Sequence, residues 1–146
     1  MDSLREKITI SSVKIAVDTR GNTDVLDITP QISKTVLESG MKEGNVLVFV
    51  IGSTAGLTTV EYEPGLKKDL KEAFQRIAPD NIAYAHHETW HDDNGHSHVR
   101  ASLIGPSLTV PFSRGELMLG TWQQIILVEF DTRPRKREVV VQLMGA

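Results

Sequence analysis

The sequence predicts one α+β domain over residues 1–146, with an antiparallel or mixed β-sheet and two or three helices. Three observations lead to this prediction. Several segments alternate apolar and polar residues and are rich in β-branched side chains, which is typical of strands. Two other segments repeat apolar residues at helical spacing between proline and glycine signals. The order of these strands and few helices is typical of an α+β protein.

The first half of the chain contains two predicted helices among its strands. The predicted strands lie at residues 6–17, at 44–53 and, after a turn, at 55–64. The predicted helices lie at residues 27–40 and 64–79. In the first helix Thr29 is placed to cap the first turn, and Gly40 is placed to end the last. Ile32 and Val36 are predicted to face the core.

The second helix and the C-terminal strands complete the prediction. Pro64 starts this helix, Pro79 stops it, and its apolar side is formed by Leu66, Leu70, Phe74 and Ile77. Four strand-like segments follow at residues 107–112, 116–120, 122–130 and 137–144. The segment Arg133–Arg137 carries four positive charges in five residues. We interpret it as a solvated hairpin turn, with an anion-binding patch as the alternative.

Composition excludes several classes of function. The formal net charge is −3, which argues against a general electrostatic grip on nucleic acid or on an anionic membrane. Cysteine is absent, which excludes disulfides, thiolate metal ligands and a thiol nucleophile. We expect no signal peptide in residues 1–10, and no apolar run approaches the ~20 residues that span a bilayer. The expectation is a soluble cytoplasmic protein.

All five histidines lie within thirteen residues, between His86 and His98. Histidine is the commonest metal ligand, and zinc accepts three protein ligands while keeping an open position. His86 and His98 are separated by a predicted turn at Asn94, so both imidazoles can converge on one ion. On a strand, His96 and His98 would point to the same side. On a helix, His87 and His91 would share a face.

The flanking aspartates add to the prediction of a site. Asp92 and Asp93 are interpreted either as ligands or as groups that orient an imidazole. None of the spacings is a recognised metal motif, because HExxH and paired cysteines are both missing. The alternative interpretation is a polar loop that serves as an interaction surface. The density of imidazoles favours metal or anion binding over that alternative.

Two further polar segments are candidate parts of a site. Ser53 and Thr54 follow a buried strand beside glycines and are candidates to hold an oxyanion, with an ordinary turn as the alternative. Trp122 is expected to lie partly in the core or to form the wall of a pocket, with Gln123 as a polar contact. We therefore expect Trp122→Ala to reduce stability.

Three segments together resemble one family. They are "GSTAGLTTVEYEPG", "HDDNGHSHVRASLIGPSLTVPF" and "LGTWQQIILVEFDTRPRKREVVVQLMG", and with "DITP" they cover nearly the whole chain. They are similar to the YjbQ-like family of small bacterial and archaeal proteins, often labelled secondary thiamine-phosphate synthase. The resemblance implies one YjbQ-like α+β domain, a homotrimer and a histidine site for a divalent metal. Many members read H-T-S-A where this chain has residues 52–55, so the histidine of that motif is replaced by Gly52.

The resemblance and the residues together assign the candidate site. The metal ligands are expected to be His86, His96 and His98. The catalytic residues are expected to be Glu61 and His98, and the anion-binding residues Ser53, Thr54 and Arg100. The pocket residues are expected to be Asn94, Trp122 and Gln123. A histidine-rich site favours zinc, with nickel or magnesium as alternatives.

Two functions remain open from the sequence. In the first, the protein is an enzyme that joins a pyrimidine methyl diphosphate to a thiazole phosphate with release of diphosphate, or that performs a metal-assisted hydrolysis. In either case a small phosphate-bearing molecule is the ligand. In the second, the protein is a non-catalytic trimer that binds a metal or a small anion. An open metal position near an acid such as Glu61 favours the enzyme, whereas a closed site favours the binder.

Overall fold

The computed structural model describes residues 7–146 and contains eight strands and four helices. Residues 1–6, which carry the expectation of no signal peptide and the first residue of the predicted opening strand, lie outside the described part. In chain order the elements are β1 (Thr9–Asp18), β2 (Asp24–Asp27), α1 (Thr29–Ser39), β3 (Glu43–Ile51), β4 (Ala55–Glu61), α2 (Pro64–Ile77), α3 (Ala85–Trp90), α4 (Gly95–Ile104), β5 (Ser107–Ser113), β6 (Glu116–Leu117), β7 (Gln123–Glu129) and β8 (Lys136–Gly145). No helix within residues 7–146 is long and apolar enough to cross a membrane.

The strands form two antiparallel sheets where the sequence predicts one. The first has five strands in the order β1-β8-β3-β5-β6, and the second has three in the order β2-β7-β4. The α+β class is confirmed, with four helices instead of two or three. The additional helices, α3 and α4, come from the histidine segment and the residues after it.

The two sheets enclose the main core. Ile125 and Leu127 of β7 face Val48 and Val141 of the five-stranded sheet, and all four side chains are fully buried. Helix α1 closes this core with the predicted residues Ile32 and Val36 and similar neighbours. Burial of one such aliphatic side chain contributes about 1.5–3 kcal/mol, so this layer holds much of the stability.

A second, smaller core lies on the other face of the three-stranded sheet. Ile126 and Val128 pack there with Phe130, whose ring meets that of Phe74 from α2 edge-to-face at 4.8 Å between centroids. Helix α4 contributes Ala101. Strand β7 is therefore buried on both faces, which explains why its sequence is continuously apolar instead of alternating.

Helix boundaries follow the predicted signals with two differences. Gly40 ends α1 in the left-handed conformation, as expected. Thr29 is inside the helix, whose cap is Ile28, and its hydroxyl instead accepts a hydrogen bond from the Ile125 backbone N–H at 2.8 Å. Ile77 is 65% exposed, so the predicted apolar side of α2 does not extend to its last residue.

The basic segment after β7 is largely exposed, as predicted for a solvated turn, but its last residue, Arg137, is buried. The Arg137 guanidinium is paired with the carboxylate of Glu129, which is fully buried, and its Nε donates to that carboxylate at 2.6 Å. Arg137 also donates to the Thr54 hydroxyl at 2.6 Å. Because Arg137 belongs to β8 while Glu129 ends β7, the pair joins the two sheets. Arg135 is also paired, with Asp131.

We predict that Arg137→Met lowers the free energy of unfolding by about 3–5 kcal/mol, because Glu129 is left as a buried charge without its partner. Urea denaturation followed by circular dichroism measures the loss. The matched control is Lys14→Met, which breaks an exposed 3.9 Å pair with Glu138 and is expected to cost less than about 1 kcal/mol. Equal losses in the two variants would contradict the structural importance of the buried pair.

Candidate functional site

The histidine segment forms two helices that meet at Gly95. The Gly95 backbone N–H donates to His87 Nε2 at 3.2 Å, and a Cβ at this position would lie 2.5 Å from the Tyr84 Cβ. Only glycine permits this approach of α3 and α4 without displacement. The helical conformation also changes the predicted geometry. On a helix, side chains two positions apart point to roughly opposite sides, so His96 and His98 do not share a face.

His86 and His98 come together from the two helices. Their ring centroids are 4.4 Å apart. His86 Nδ1 lies 2.9 Å from a carboxylate oxygen of Asp92, although it is not aligned for a hydrogen bond with it or with another group among residues 7–146. The structure thus brings together two imidazoles and one carboxylate, all partly open to solvent. We call His86, Asp92 and His98 the histidine cluster.

A third polar group, Asn94, lies between two carboxylates beside this cluster. One end of its amide is 3.1 and 3.2 Å from the two oxygens of Asp92, and the other end is 3.4 Å from Asp131. The amide NH₂ can donate to only one of these carboxylates, so the other faces the amide oxygen. The surroundings of the cluster are therefore rich in acceptors.

Electrostatics favour the neutral form of His98. Burial and the adjacent His86 lower its pKa, while Asp131 and Asp92 act in the opposite direction with smaller effect. A neutral imidazole is the form that binds a metal ion. Asp131 itself is anchored. Burial would raise its pKa, but hydrogen bonds from the Thr132 backbone N–H and from Arg135 and Thr54 lower that pKa to about 2.

Thr54 supports the site from within the protein instead of facing a ligand. Its hydroxyl donates to Asp131 at 3.0 Å and accepts from Arg137, and the residue is buried. Ser53, by contrast, is exposed. Of the two hydroxyls in the predicted oxyanion turn, that of Thr54 is used in the buried network. Only that of Ser53 is open to solvent. Asp131 is the residue that the sequence analysis missed, and its only signal is an acidic residue directly after a buried strand.

His96 and Arg100 lie on the other side of α4. Both are buried, and both line a cleft with Thr23, Gln75 and Asp80. The charged groups near enough to influence the pKa of His96 are Arg100, Asp80, Asp93 and His87. None of these belongs to the histidine cluster. Of the three histidines expected as ligands, His96 therefore does not lie with His86 and His98, and Arg100 does not share a site with Ser53.

Glu61, Trp122 and Gln123 form a third location. Gln123 is the register partner of Glu61 at the far end of β4 from Thr54, about 20 Å of strand away. Gln123 donates to the Thr59 hydroxyl at 3.1 Å. The expectation of a partly buried Trp122 is wrong for this chain: its side chain is 71% exposed, because the residue precedes β7 and does not enter either core. None of these residues reaches the histidine cluster within one chain.

The donor groups are not arranged as a ready metal site. Across residues 7–146, no three histidine, aspartate or glutamate side chains stand together in a geometry that holds an ion. The histidine cluster supplies the donor types, and a rotation of its side chains is required before all three point at one centre.

Comparison with known proteins assigns the family. The model of the family described as UPF0047 protein YjbQ-like matches residues 13–146. The chain belongs to this family. A UPF0047 protein of Archaeoglobus fulgidus is 36% identical over 132 residues, which are 90% of this chain and 100% of that protein. The UPF0047 protein YugU of Bacillus subtilis is 32% identical over 133 residues, covering 90% of this chain and 97% of YugU.

Solved structures agree with this assignment. A YbjQ-like protein of unknown function from Sulfolobus solfataricus P2 superimposes with a TM-score of 0.90 at 33% identity, covering 96% of this chain and all of that one. A hypothetical protein of Aeropyrum pernix K1 gives a TM-score of 0.86 at 31% identity, covering 93% and 99%. The YjbQ-like fold is thus established.

Gly52 occupies the position where the family resemblance implies a histidine in many bacterial members. Its φ is +139°, and a Cβ there would lie 2.6 Å from Arg137 Nη1. A side chain at this position is therefore opposed both by the backbone conformation and by the buried arginine.

We predict that Asp131→Asn destabilises the protein most at neutral pH. A carboxyl group with a folded-state pKa of about 2 contributes stability above its unfolded pKa and loses it as the pH falls toward 2. The free energy of unfolding of the wild type should exceed that of the variant by about 2 kcal/mol at pH 7. This difference should shrink between pH 5 and about pH 2. Denaturation at a series of pH values checks this. Asp69→Asn, at an exposed position on α2, is the control. A difference that does not vary with pH would show that the anionic form of Asp131 is not what stabilises the fold.

Proposed function

We propose that the protein binds one divalent metal ion, preferably zinc, at the histidine cluster and acts there on a small phosphate-bearing molecule. The observation that carries the proposal is the approach of His86 and His98 to 4.4 Å between ring centroids, with the Asp92 carboxylate 2.9 Å from His86 Nδ1. Two like groups that would repel when protonated gain most from a shared cation. The unaligned contact with Asp92 leaves a nitrogen and an oxygen facing each other, and both can serve as metal donors.

The donor chemistry fits zinc better than the alternatives. Two imidazoles and one carboxylate form a ligand set that is typical of catalytic zinc sites with an open fourth position. Magnesium prefers oxygen ligands, so two imidazoles disfavour it, whereas nickel remains compatible with them. The lowered pKa of His98 keeps its imidazole neutral and available near neutral pH. His86, His98 and Asp92 would hold the ion.

The residues around the cluster determine what chemistry is available. A zinc ion bound there would supply a Lewis acid for a phosphoryl oxygen. Asn94 lies beside the cluster and can orient a bound molecule, while the buried, anionic Asp131 lies 3.4 Å from the Asn94 amide. Glu61 does not serve as an acid or base within the same subunit, because it lies at the opposite end of β4. The specific reaction to test is thiamine-phosphate synthesis, which the family resemblance implies.

A non-catalytic metal binder is the second candidate. The observation that favours it is the distance of Glu61 from the histidine cluster, because the sequence offers Glu61 as the proton-handling group. Metal binding without turnover would then be the function. The two candidates share the same ligands and differ in activity.

The first experiment measures metal content after purification without a histidine tag and reloading with zinc. We expect about one zinc ion per chain in the wild type and a loss of most of it in His86→Ala and His98→Ala, because each variant removes one of three ligands. His91→Ala, at an exposed position, and His96→Ala, on the other face of α4, are the matched controls and should keep the metal. Elemental mass spectrometry gives the stoichiometry, and circular dichroism verifies folding.

The outcomes separate the candidates. Full zinc content in both His86→Ala and His98→Ala would refute the metal site. If the metal binds as predicted, formation of thiamine phosphate from the pyrimidine diphosphate and the thiazole phosphate is assayed with and without zinc. Zinc-dependent turnover that is lost in His98→Ala supports the enzyme. Binding without turnover of these substrates favours the non-catalytic candidate.

The proposal includes a cytoplasmic homotrimer, in which the trimeric state is the one that the family resemblance implies. Support comes from the outer face of the five-stranded sheet, where Ile10, Phe49 and Met144 are 61%, 39% and 46% exposed. Ile10 and Met144 are register partners on β1 and β8, and Phe49 is on β3, which pairs with β8. Apolar side chains that share a sheet face in this way are typical of an interface.

We predict that light scattering gives a particle of three times the 16.2 kDa chain mass and that Phe49→Asp dissociates it. A charge on this face would have to be desolvated in the interface, which is unfavourable. Thr109→Asp, an exposed substitution on the neighbouring strand β5, tests whether the interface extends across the sheet. A monomeric wild type would refute the trimer.

A further inference from the structure

The cleft on the other side of α4 is separate from the histidine cluster. It has a volume of about 320 Å³, and its charged or titratable lining residues are Lys71, Glu72, Asp80, His96 and Arg100, with Thr23 and Gln75 beside Arg100. A contiguous depression continues past Asp80 and His96 toward Thr132. The size is suited to a small molecule.

Arg100 is the defining residue of this cleft. It is 4% exposed, and three of its N–H groups are engaged: Nε donates to the Ala78 carbonyl at 2.9 Å, Nη1 to the Thr23 hydroxyl at 3.2 Å and Nη2 to Gln75 Oε1 at 2.7 Å. All three acceptors are neutral. Two of the five guanidinium N–H groups remain for a ligand.

The charge of Arg100 has no close counter-ion in the described part of the chain. No carboxylate of residues 7–146 lies within 4.0 Å of its guanidinium, although Asp80 is near enough to act on its pKa. A buried charge without a partner is expensive, and buried arginines are normally paired. The protein thus retains an anchored cation on the cleft wall, with Asp80 as a more distant negative charge.

Two neighbours of Arg100 also have unsatisfied or strained features. His96 is 5% exposed, and its Nδ1 is buried with no hydrogen-bond partner among residues 7–146. Thr23 has a φ of +65°, which is rare for a β-branched residue, and its backbone N–H is held by the Glu129 carbonyl at 2.8 Å. Strained residues of this kind concentrate at binding sites, and this one positions the guanidinium.

We propose that this cleft is a second ligand site, which binds the anionic oxygen group, carboxylate or phosphate, of a small molecule through Arg100. Lys71 at the rim adds a second positive charge, which offsets part of the negative charge of Glu72 and Asp80 on the same cleft. Gln75 and Thr23 hold the guanidinium in the cleft wall. A planar guanidinium is suited to two oxygens of one anionic group. The site does not depend on metal binding at the histidine cluster, because it uses the opposite face of α4.

The experiment titrates the wild-type protein with inorganic phosphate and, separately, with acetate, and follows backbone amide shifts by NMR. We expect saturable shifts centred on residues 23, 75, 96 and 100 for at least one of the two anions. Arg100→Gln should weaken binding by at least about tenfold, since it removes the charge-assisted hydrogen bonds. Lys71→Met, at an exposed rim position, should weaken it less and gives a test that does not depend on the folding of Arg100→Gln.

Two controls keep the result specific. Arg76→Gln removes an exposed positive charge from the same helix as Lys71 and should leave affinity unchanged. His98→Ala disables the histidine cluster and should also leave it unchanged. Binding of phosphate alone or acetate alone identifies the anionic group. The proposal is overturned if neither anion gives saturable shifts or if the shifts are centred elsewhere. It is also overturned if binding is lost in His98→Ala but kept in Arg100→Gln.

Discussion

The buried pair of Arg137 and Glu129 is the interaction on which the rest of the structure depends. It joins the last residue of β7 in the three-stranded sheet to β8 of the five-stranded sheet, at one end of the main core. Two charges removed from water require each other, and Thr54 and Thr19 satisfy further oxygens and N–H groups of the pair. The relative position of the two sheets is thereby fixed by directional bonds in addition to apolar packing, which is not directional.

This pair also determines where the functional groups lie. Asp131 follows Glu129 by two residues, and its backbone N–H donates to the Glu129 carboxylate at 3.1 Å. Asp131 in turn approaches Asn94, which is the cap of α4, while the Thr23 backbone N–H is bound to the Glu129 carbonyl. Both faces of α4, one with His98 and one with His96 and Arg100, are thus positioned against the same end of β7. The polar groups of both proposed sites therefore lie beside the buried ionic network.

The sequence was sufficient for the α+β class, for most element positions and for the pairing of His86 with His98. These depend on local signals: alternation, proline and glycine punctuation, and two histidines on either side of a turn. It was insufficient where the result depended on tertiary contacts. His96 was grouped with His98 on the assumption of a strand, and the helix separated them. Asp131 and the burial of Arg137 depend on partners 37 and 83 residues away, namely Asn94 and Thr54, which no local pattern reveals. Trp122 is exposed because its segment precedes the strand instead of belonging to it.

The order of strands in the larger sheet has a consequence for how the chain folds. β8 lies between β1 and β3, and pairs with both along most of its length, from Thr9 opposite Gly145 to Ile51 opposite Glu138. A ribosome makes β8 after all the other strands, so β1 and β3 are synthesised with no neighbour between them. Until β8 inserts, both present unpaired edges and apolar faces, and the contacts that finish the sheet span nearly the whole chain. Such distant pairings close slowly and leave the nascent protein dependent on protection from aggregation.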